Sequence, residues 1–348
     1  MFDISFYENI WYNRIENFER KTLMYGYTTF HDDLINNLIK SVHNGTASHA
    51  YIFEGSKGLY KHEAAQLFAE TLTCQNISSA PCGTCPPCIQ AKAKTNPDII
   101  YIEKPSDKKS IGVEPIRALN DDVAIRPFYS QKKVYIINEG DILTVEAQNA
   151  FLKTLEEPPE YAVFIIIVEN SSVLLQTVLS RSTLIHFPPV SDKLIENYIR
   201  EKYPDQEERI SFLTKYCEGI PGIVDDVIAD DNFETLRENS LNKLPSLLSK
   251  NKILAYTIQK FIDENKDDAE FIFDFWVSYL RDVVVIQCNA PNRIINIDKT
   301  EKLQLLAGKY EPKLIVKAID EIVNAKEMLR RYVNLKAVSL ATSLKIKE

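Results

Sequence analysis

Five short segments of the chain are almost wholly apolar: "AYIF" at 50–53, "DIIYI" at 98–102, "KVYII" at 133–137, "AVFIIIV" at 162–168 and "TLIHF" at 183–187. They are rich in Ile and Val and barely alternate. A strand covered by helices on both faces reads this way, because neither set of alternating side chains meets water. Before and between these runs, apolar residues recur at helical spacing. Leu34, Ile35, Leu38, Ile39 and Val42 form one stripe, with Asp32 or Asp33 as a cap and Gly45 as a stop. Further helical patterns lie at 113–122 and 146–156, the second ended by Pro158-Pro159. Strands joined by helical crossovers predict a five-stranded parallel sheet with helices on both faces.

The strand pattern stops after Pro188-Pro189. Residues 190–246 read as short helices with acidic loops. From about 250 long amphipathic patterns take over, as in "FIFDFWVSYLRDVVVIQ" and "LIVKAIDEIVNAKEMLRRYV". The predicted division is an N-terminal extension at 1–23 ahead of Met24, an α/β domain at 24–187, a small helical domain at 188–246 and a larger helical domain at 247–348. A chain of 348 residues is long enough for this division.

Composition narrows the class. Apolar residues make up 45% and charged residues 26%, as in ordinary globular proteins. The longest apolar run is strand-sized, and the N-terminus lacks a basic stretch followed by an apolar core. A cytoplasmic protein without a membrane partner is expected. The net charge of −8 argues against a free-standing nucleic-acid binder. The excess of Lys and Arg after Lys299 reads as a solvated helical face. Arg126, Lys132 and Lys133 around "IRPFYSQKKVYII" offer a DNA-contact patch, but the bland reading of solvated side chains is preferred.

The segment "FEGSKGLYKHEA" lies between a strand and a helix, where a phosphate-binding loop belongs. Gly55, Gly58 and Lys61 fit such a loop. Tyr60 replaces the glycine that lets backbone N–H groups reach phosphate, and His62 replaces the magnesium-binding hydroxyl. The strand "VYII" then ends in Asn138-Glu139, where a Walker B strand ends in Asp-Glu. Asn138 carries no charge for the metal, while Glu139 remains. Two near-misses on one sheet predict a degenerate nucleotide site that does not bind ATP.

Cys74, Cys82, Cys85 and Cys88 form a C-x₇-C-x₂-C-x₂-C pattern. In a reducing compartment this spacing points to a structural, closed Zn²⁺ site, with four thiolates completing a tetrahedral shell. Cys217 and Cys288 stand apart and are expected to be buried thiols.

"VEAQNAFLKTLEEPPEYAVFIIIVEN", "LSRS" at 179–182, "SHAYIFEG" at 48–55 and "RRYVNLKAVSLATSL" at 330–344 together resemble bacterial clamp-loader subunits of the AAA+ class, from about residue 24 to the end. The resemblance implies an AAA+ α/β core, a helical lid domain and an all-α collar, with the cysteines at 74–88 in the family's zinc module. It implies that Arg181, assisted by Ser180, serves as an arginine finger in trans for the ATP held by a neighbour. Glu169-Asn170 and Gly222 or Ile223 then stand where active relatives carry sensor residues. The implied protein is a non-hydrolysing part of the DNA polymerase III holoenzyme. Its partners would be gamma/tau and delta subunits, and through the complex the sliding clamp and primed DNA. The alternatives are a catalytic gamma/tau-type ATPase and a zinc-containing nucleic-acid-binding module.

Overall fold

A computed structural model describes residues 30–330 and 333–347; the extension expected at 1–23 and Met24 lie outside the described residues. The chain divides into two compact units, the first ending at Val190 and the second beginning at Ser191.

In the first unit, α1 (Asp32–His43) precedes β1 (Ala50–Glu54), α2 (Lys61–Thr73) and α3 (Pro86–Lys92). Then come β2 (Ile99–Ile102), α4 (Val113–Val123), β3 (Lys133–Ile137) and α5 (Val145–Glu156). The unit closes with β4 (Ala162–Val168), α6 (Gln176–Leu179) and β5 (Thr183–His186). The five strands form one sheet in the order β2-β3-β4-β1-β5, and every pairing is parallel. All seven residues of the central β4 are buried, which accounts for its uninterrupted apolar run.

Strand geometry sends alternate side chains to opposite faces. Ala50, Ile52, Tyr135, Ile137, Phe164 and Ile166 share a core with Ile116 and Leu119 of α4 and Phe151 and Leu155 of α5. There Phe164 stacks on Tyr135 at 5.4 Å and meets the edge of Phe151 at 5.1 Å. Tyr51 and Phe53 point the other way, toward Phe68 of α2, at 5.0 and 6.5 Å. The sheet is thus sandwiched between helices, as its sequence pattern requires. Strand β5 departs from the expectation of burial on both faces. It is an edge strand, with Leu184 49% exposed, because it pairs only with β1.

The second unit is helical among its described residues: α7 (Asp192–Lys202), α8 (Ile210–Tyr216), α9 (Pro221–Ala229), α10 (Phe233–Leu248), α11 (Leu254–Glu264), α12 (Ala269–Gln287), α13 (Thr300–Lys309), α14 (Pro312–Arg330) and α15 (Leu335–Lys347). Helix α10 runs through residues 246–247 and packs on α11, α12 and α15. Trp276 is buried and donates its indole N–H to the Ser240 carbonyl at 2.8 Å. Arg237 is fully buried, its guanidinium lying 3.7 Å over the Phe212 ring and held by Asp298 at 2.7 and 2.9 Å. A buried cation is tolerated only when paired in this way.

Candidate functional site

Strand β1 delivers the chain into the loop Gly55–Tyr60 at the C-terminal end of the sheet. Gly55 has no room for a side chain, since a Cβ would lie 2.6 Å from the Phe187 carbonyl oxygen. Tyr60, just before α2, has φ 55° and ψ 34°, the left-handed conformation that suits glycine. For a residue with a Cβ this costs about 1–2 kcal/mol. Its ring stacks on Phe30 at 5.7 Å with the planes 7° apart, which offsets part of that strain.

Lys61 is buried and turned back on its own loop, donating to the Gly55 carbonyl and, at 2.8 Å, to that of Ser56. Burial pushes its pKa down, against the opposing pull of Glu169 and Asp141. His62 Nδ1 lies 3.0 Å from the Asn138 side-chain oxygen, so the ring N–H donates to the amide. Asn138 in turn donates to Glu103 at 3.3 Å. The two residues that depart from a magnesium site are therefore bonded to each other. Glu139 is exposed and left-handed at φ 53°. The backbone N–H groups of Glu169 and Asn170 donate to Asp141, leaving both side chains exposed.

Arg181 lies at the other end of the sheet. Strand β5 begins at Thr183, which pairs with Tyr51 near the start of β1, whereas His186 pairs with Glu54 beside the loop. The parallel register therefore separates Arg181 from the Gly55–Tyr60 loop by the length of the strand, about 3.3 Å per residue. Its guanidinium donates to Glu156 at 2.7 Å, to the Thr177 carbonyl at 2.9 Å and to Ser180 Oγ at 3.3 Å. The arginine side chain remains 33% exposed and that of Glu156 49% exposed. Such a surface pair contributes about 0–1 kcal/mol and is easily exchanged for another anion.

Cys74 ends α2, Cys85 caps α3 ahead of Pro86-Pro87, and Cys88 sits in the first turn of α3. The four Sγ atoms, with Cys82, all lie within 4.8 Å of one another. Tetrahedral Zn–S bonds of about 2.3 Å need sulfurs somewhat under 4 Å apart. The Cys74–Cys85 separation of 3.9 Å shows how small an adjustment the group requires. The Asn76 and Cys85 N–H groups donate to Cys74 and Cys82 sulfurs, each at 3.4 Å, which suits thiolates. Burial pushes Cys82 up, but hydrogen bonds from Thr84 and Cys85 outweigh it and bring the thiol down to about 6. Burial pushes Cys74 and Cys88 up. The donor set fits a divalent metal that prefers sulfur. Glu70 lies beside the cluster, fully buried next to Cys88, and burial pushes it up to about 7 against the lowering contact with the Cys88 thiol. Nothing in its helical sequence context singled it out.

Two expectations need correction. Cys217 is buried, but Cys288 is exposed, because it follows the last turn of α12. Lys133 belongs neither to a DNA patch nor to a solvated face. It is buried and pairs with Asp122 at 2.9 Å, donating also to the Asp122 and Ile125 carbonyls.

A family model described as "DNA polymerase III, delta subunit" matches residues 30–191, and one for "DNA polymerase III, delta subunit, C terminal" matches residues 231–337. The DNA polymerase III subunit delta' of Bacillus subtilis strain 168 is 28% identical over 306 residues, covering 86% of this chain and 91% of that protein. The chain belongs to the delta-prime family of DNA polymerase III clamp-loader subunits. Tau and tau/gamma subunits of DNA polymerase III match less of it. The tau subunit of Escherichia coli K12 is 35% identical over 181 residues, half of this chain and 28% of tau. The tau/gamma subunit of Haemophilus influenzae is 32% identical over 194 residues, again 28% of that protein. Within this delta-prime family member, His62 and Asn138 are bonded to each other beside a left-handed Tyr60, and Arg181, one-third exposed, lies at the far end of the sheet.

Proposed function

We propose that the chain is the non-hydrolysing subunit of a cytoplasmic clamp loader, which places a sliding clamp on primed DNA. It would associate with gamma/tau and delta subunits and supply Arg181 to the ATP bound by a neighbouring gamma/tau subunit. The observation that carries this reading is the position of Arg181, at the end of the sheet opposite its own phosphate loop. A guanidinium so placed cannot serve a nucleotide in the same chain, but suits one presented by a neighbour. Its planar, permanently charged fork matches phosphate oxygens on which charge develops. The loop supports the same reading. Lys61 is occupied by loop carbonyls, and His62 and Asn138 consume the polar groups that would hold magnesium.

Zn²⁺ would fill the Cys74, Cys82, Cys85 and Cys88 cluster and tie the end of α2 to the start of α3. With four protein ligands the ion keeps no open position, so its role is structural. In domain terms, residues 30–187 would be the AAA+ core and the helices after Ser191 the lid and collar.

The test is reconstitution of the chain with gamma/tau and delta subunits. Arg181→Ala should leave assembly intact and lower ATP turnover of the complex by about 10³-fold or more. Normal turnover by this variant would refute the assignment. Magnesium-dependent ATP hydrolysis by the isolated chain would instead establish the catalytic gamma/tau-type alternative.

A further inference from the structure

We propose that a groove between α9 and α12, in the helical unit, is a docking site for a basic amphipathic segment of a partner protein. The groove has a volume of about 680 Å³, within the range of roughly 300–1,000 Å³ typical of ligand clefts. Its lining includes Ile223, Val227, Phe233, Val277 and Ile295. Phe271 stands at its side and is 51% exposed. The lining also carries Glu218, Asp226 and Asp230, all exposed.

Charge identifies the occupant. Asp274 is paired with Lys326, and Arg281 lies 3.5 Å from Asp282 and donates to the Arg293 carbonyl. Among the described residues, Glu218, Asp226 and Asp230 have no ion-pair partner. Glu218 is fixed by a left-handed turn, with φ 47° followed by Gly219 at 81°. The uncompensated charge around the apolar lining is therefore negative. Such a rim repels phosphate, which excludes nucleic acid and acidic lipid headgroups. A second copy in a two-fold contact would oppose acid with acid. An apolar small molecule would leave the carboxylates unused. A segment with a few aliphatic or aromatic side chains flanked by Lys or Arg satisfies both the lining and the rim. Ile223 belongs to the stretch where, by the family resemblance, active relatives carry a sensor residue; here it contributes apolar lining. Neither the groove nor its acidic rim involves Arg181.

The probes are three fluorescein-labelled peptides of equal length, composed of Lys and Leu, of Lys and Ser, and of Glu and Leu, titrated into the full chain at physiological salt. The Lys/Leu peptide should bind, and the other two should bind at least about tenfold more weakly. Asp226→Asn with Asp230→Asn, and separately Phe271→Ser, should each weaken Lys/Leu binding by about tenfold at unchanged Tm. These positions are exposed, so folding should survive. Equal binding of the Lys/Ser peptide, or unchanged affinity in both variants, would overturn the proposal. So would a dimer in sedimentation that these variants dissolve, since it would give the groove to a second copy.

Discussion

The two ends of the parallel sheet in the first unit are built on opposite terms. At the C-terminal end, the polar groups in and around the Gly55–Tyr60 loop bond one another. Lys61 bonds loop carbonyls, His62 bonds Asn138, and the backbone after β4 is capped by Asp141. At the other end, Arg181 keeps a third of its side chain in water and is held by exposed contacts to Glu156, the Thr177 carbonyl and Ser180 Oγ. On the function proposed above, the first arrangement resists a ligand because Lys61 and His62 must give up partly or fully buried partners before gaining new ones. The second yields easily, because an exposed ion pair is worth little. A side chain is available for work in proportion to how weakly its own chain holds it.

The contrast is tested most severely by moving groups at either end. The largest effect belongs to Arg181→Ala in the reconstituted complex. Arg181→Lys should recover little of the lost turnover, since an ammonium lacks the planar fork. Next in size is the cysteine cluster. The purified chain should hold close to one zinc per molecule by atomic emission. Cys88→Ser should lose the metal and several kcal/mol of stability in urea melts, because metal binding is linked to folding. Reopening the loop with Tyr60→Gly, His62→Thr and Asn138→Asp together should raise magnesium-dependent ATP affinity of the isolated chain by at least about tenfold in calorimetry. No gain would mean that the loop is closed by something other than these three side chains.

Smaller effects refine the picture. His31 packs against the edge of Phe187 at 5.0 Å. Burial lowers its pKa from 6.5 to about 4, against a raising hydrogen bond to the Leu59 backbone. The unfolded chain takes up this proton near pH 6.5 while the folded chain refuses it until near pH 4. Stability should therefore decline as pH falls through that window. In urea melts at pH 7 and pH 5, His31→Phe should show a smaller loss on acidification than the parent chain. The smallest change should come from Glu156→Gln. Turnover of the complex should shift by less than about fivefold, because the exposed pair it removes is worth at most about 1 kcal/mol. A collapse of turnover there would mean that Glu156 positions the arginine instead of merely resting against it.

Much of this was legible along the chain. Apolar runs marked all five strands, and a cluster of four cysteines within fifteen residues marked the metal-binding geometry. These are local signals, carried by neighbours in sequence. Lys133 and Cys288 were misread because burial depends on what packs from elsewhere. Lys133 sits at the head of an apolar strand yet reaches Asp122 of α4. Cys288 follows an apolar helix yet stays in water. The His62–Asn138 bond joins residues 76 positions apart, and the Arg237–Asp298 pair joins residues 61 apart. No periodicity reports such meetings.

The sequence by itself determined which chemical groups this protein has and lacks. It has a glycine-containing loop with an aromatic ring in the wrong place, a strand ending in amide where a carboxylate is needed, four clustered thiols and one arginine in a serine-rich turn. Only the tertiary structure decided where they stand relative to one another. Parallel pairing of β1 with β5 sets the loop and Arg181 at opposite ends of the sheet, because register across strands is chosen by long-range packing of the whole layer.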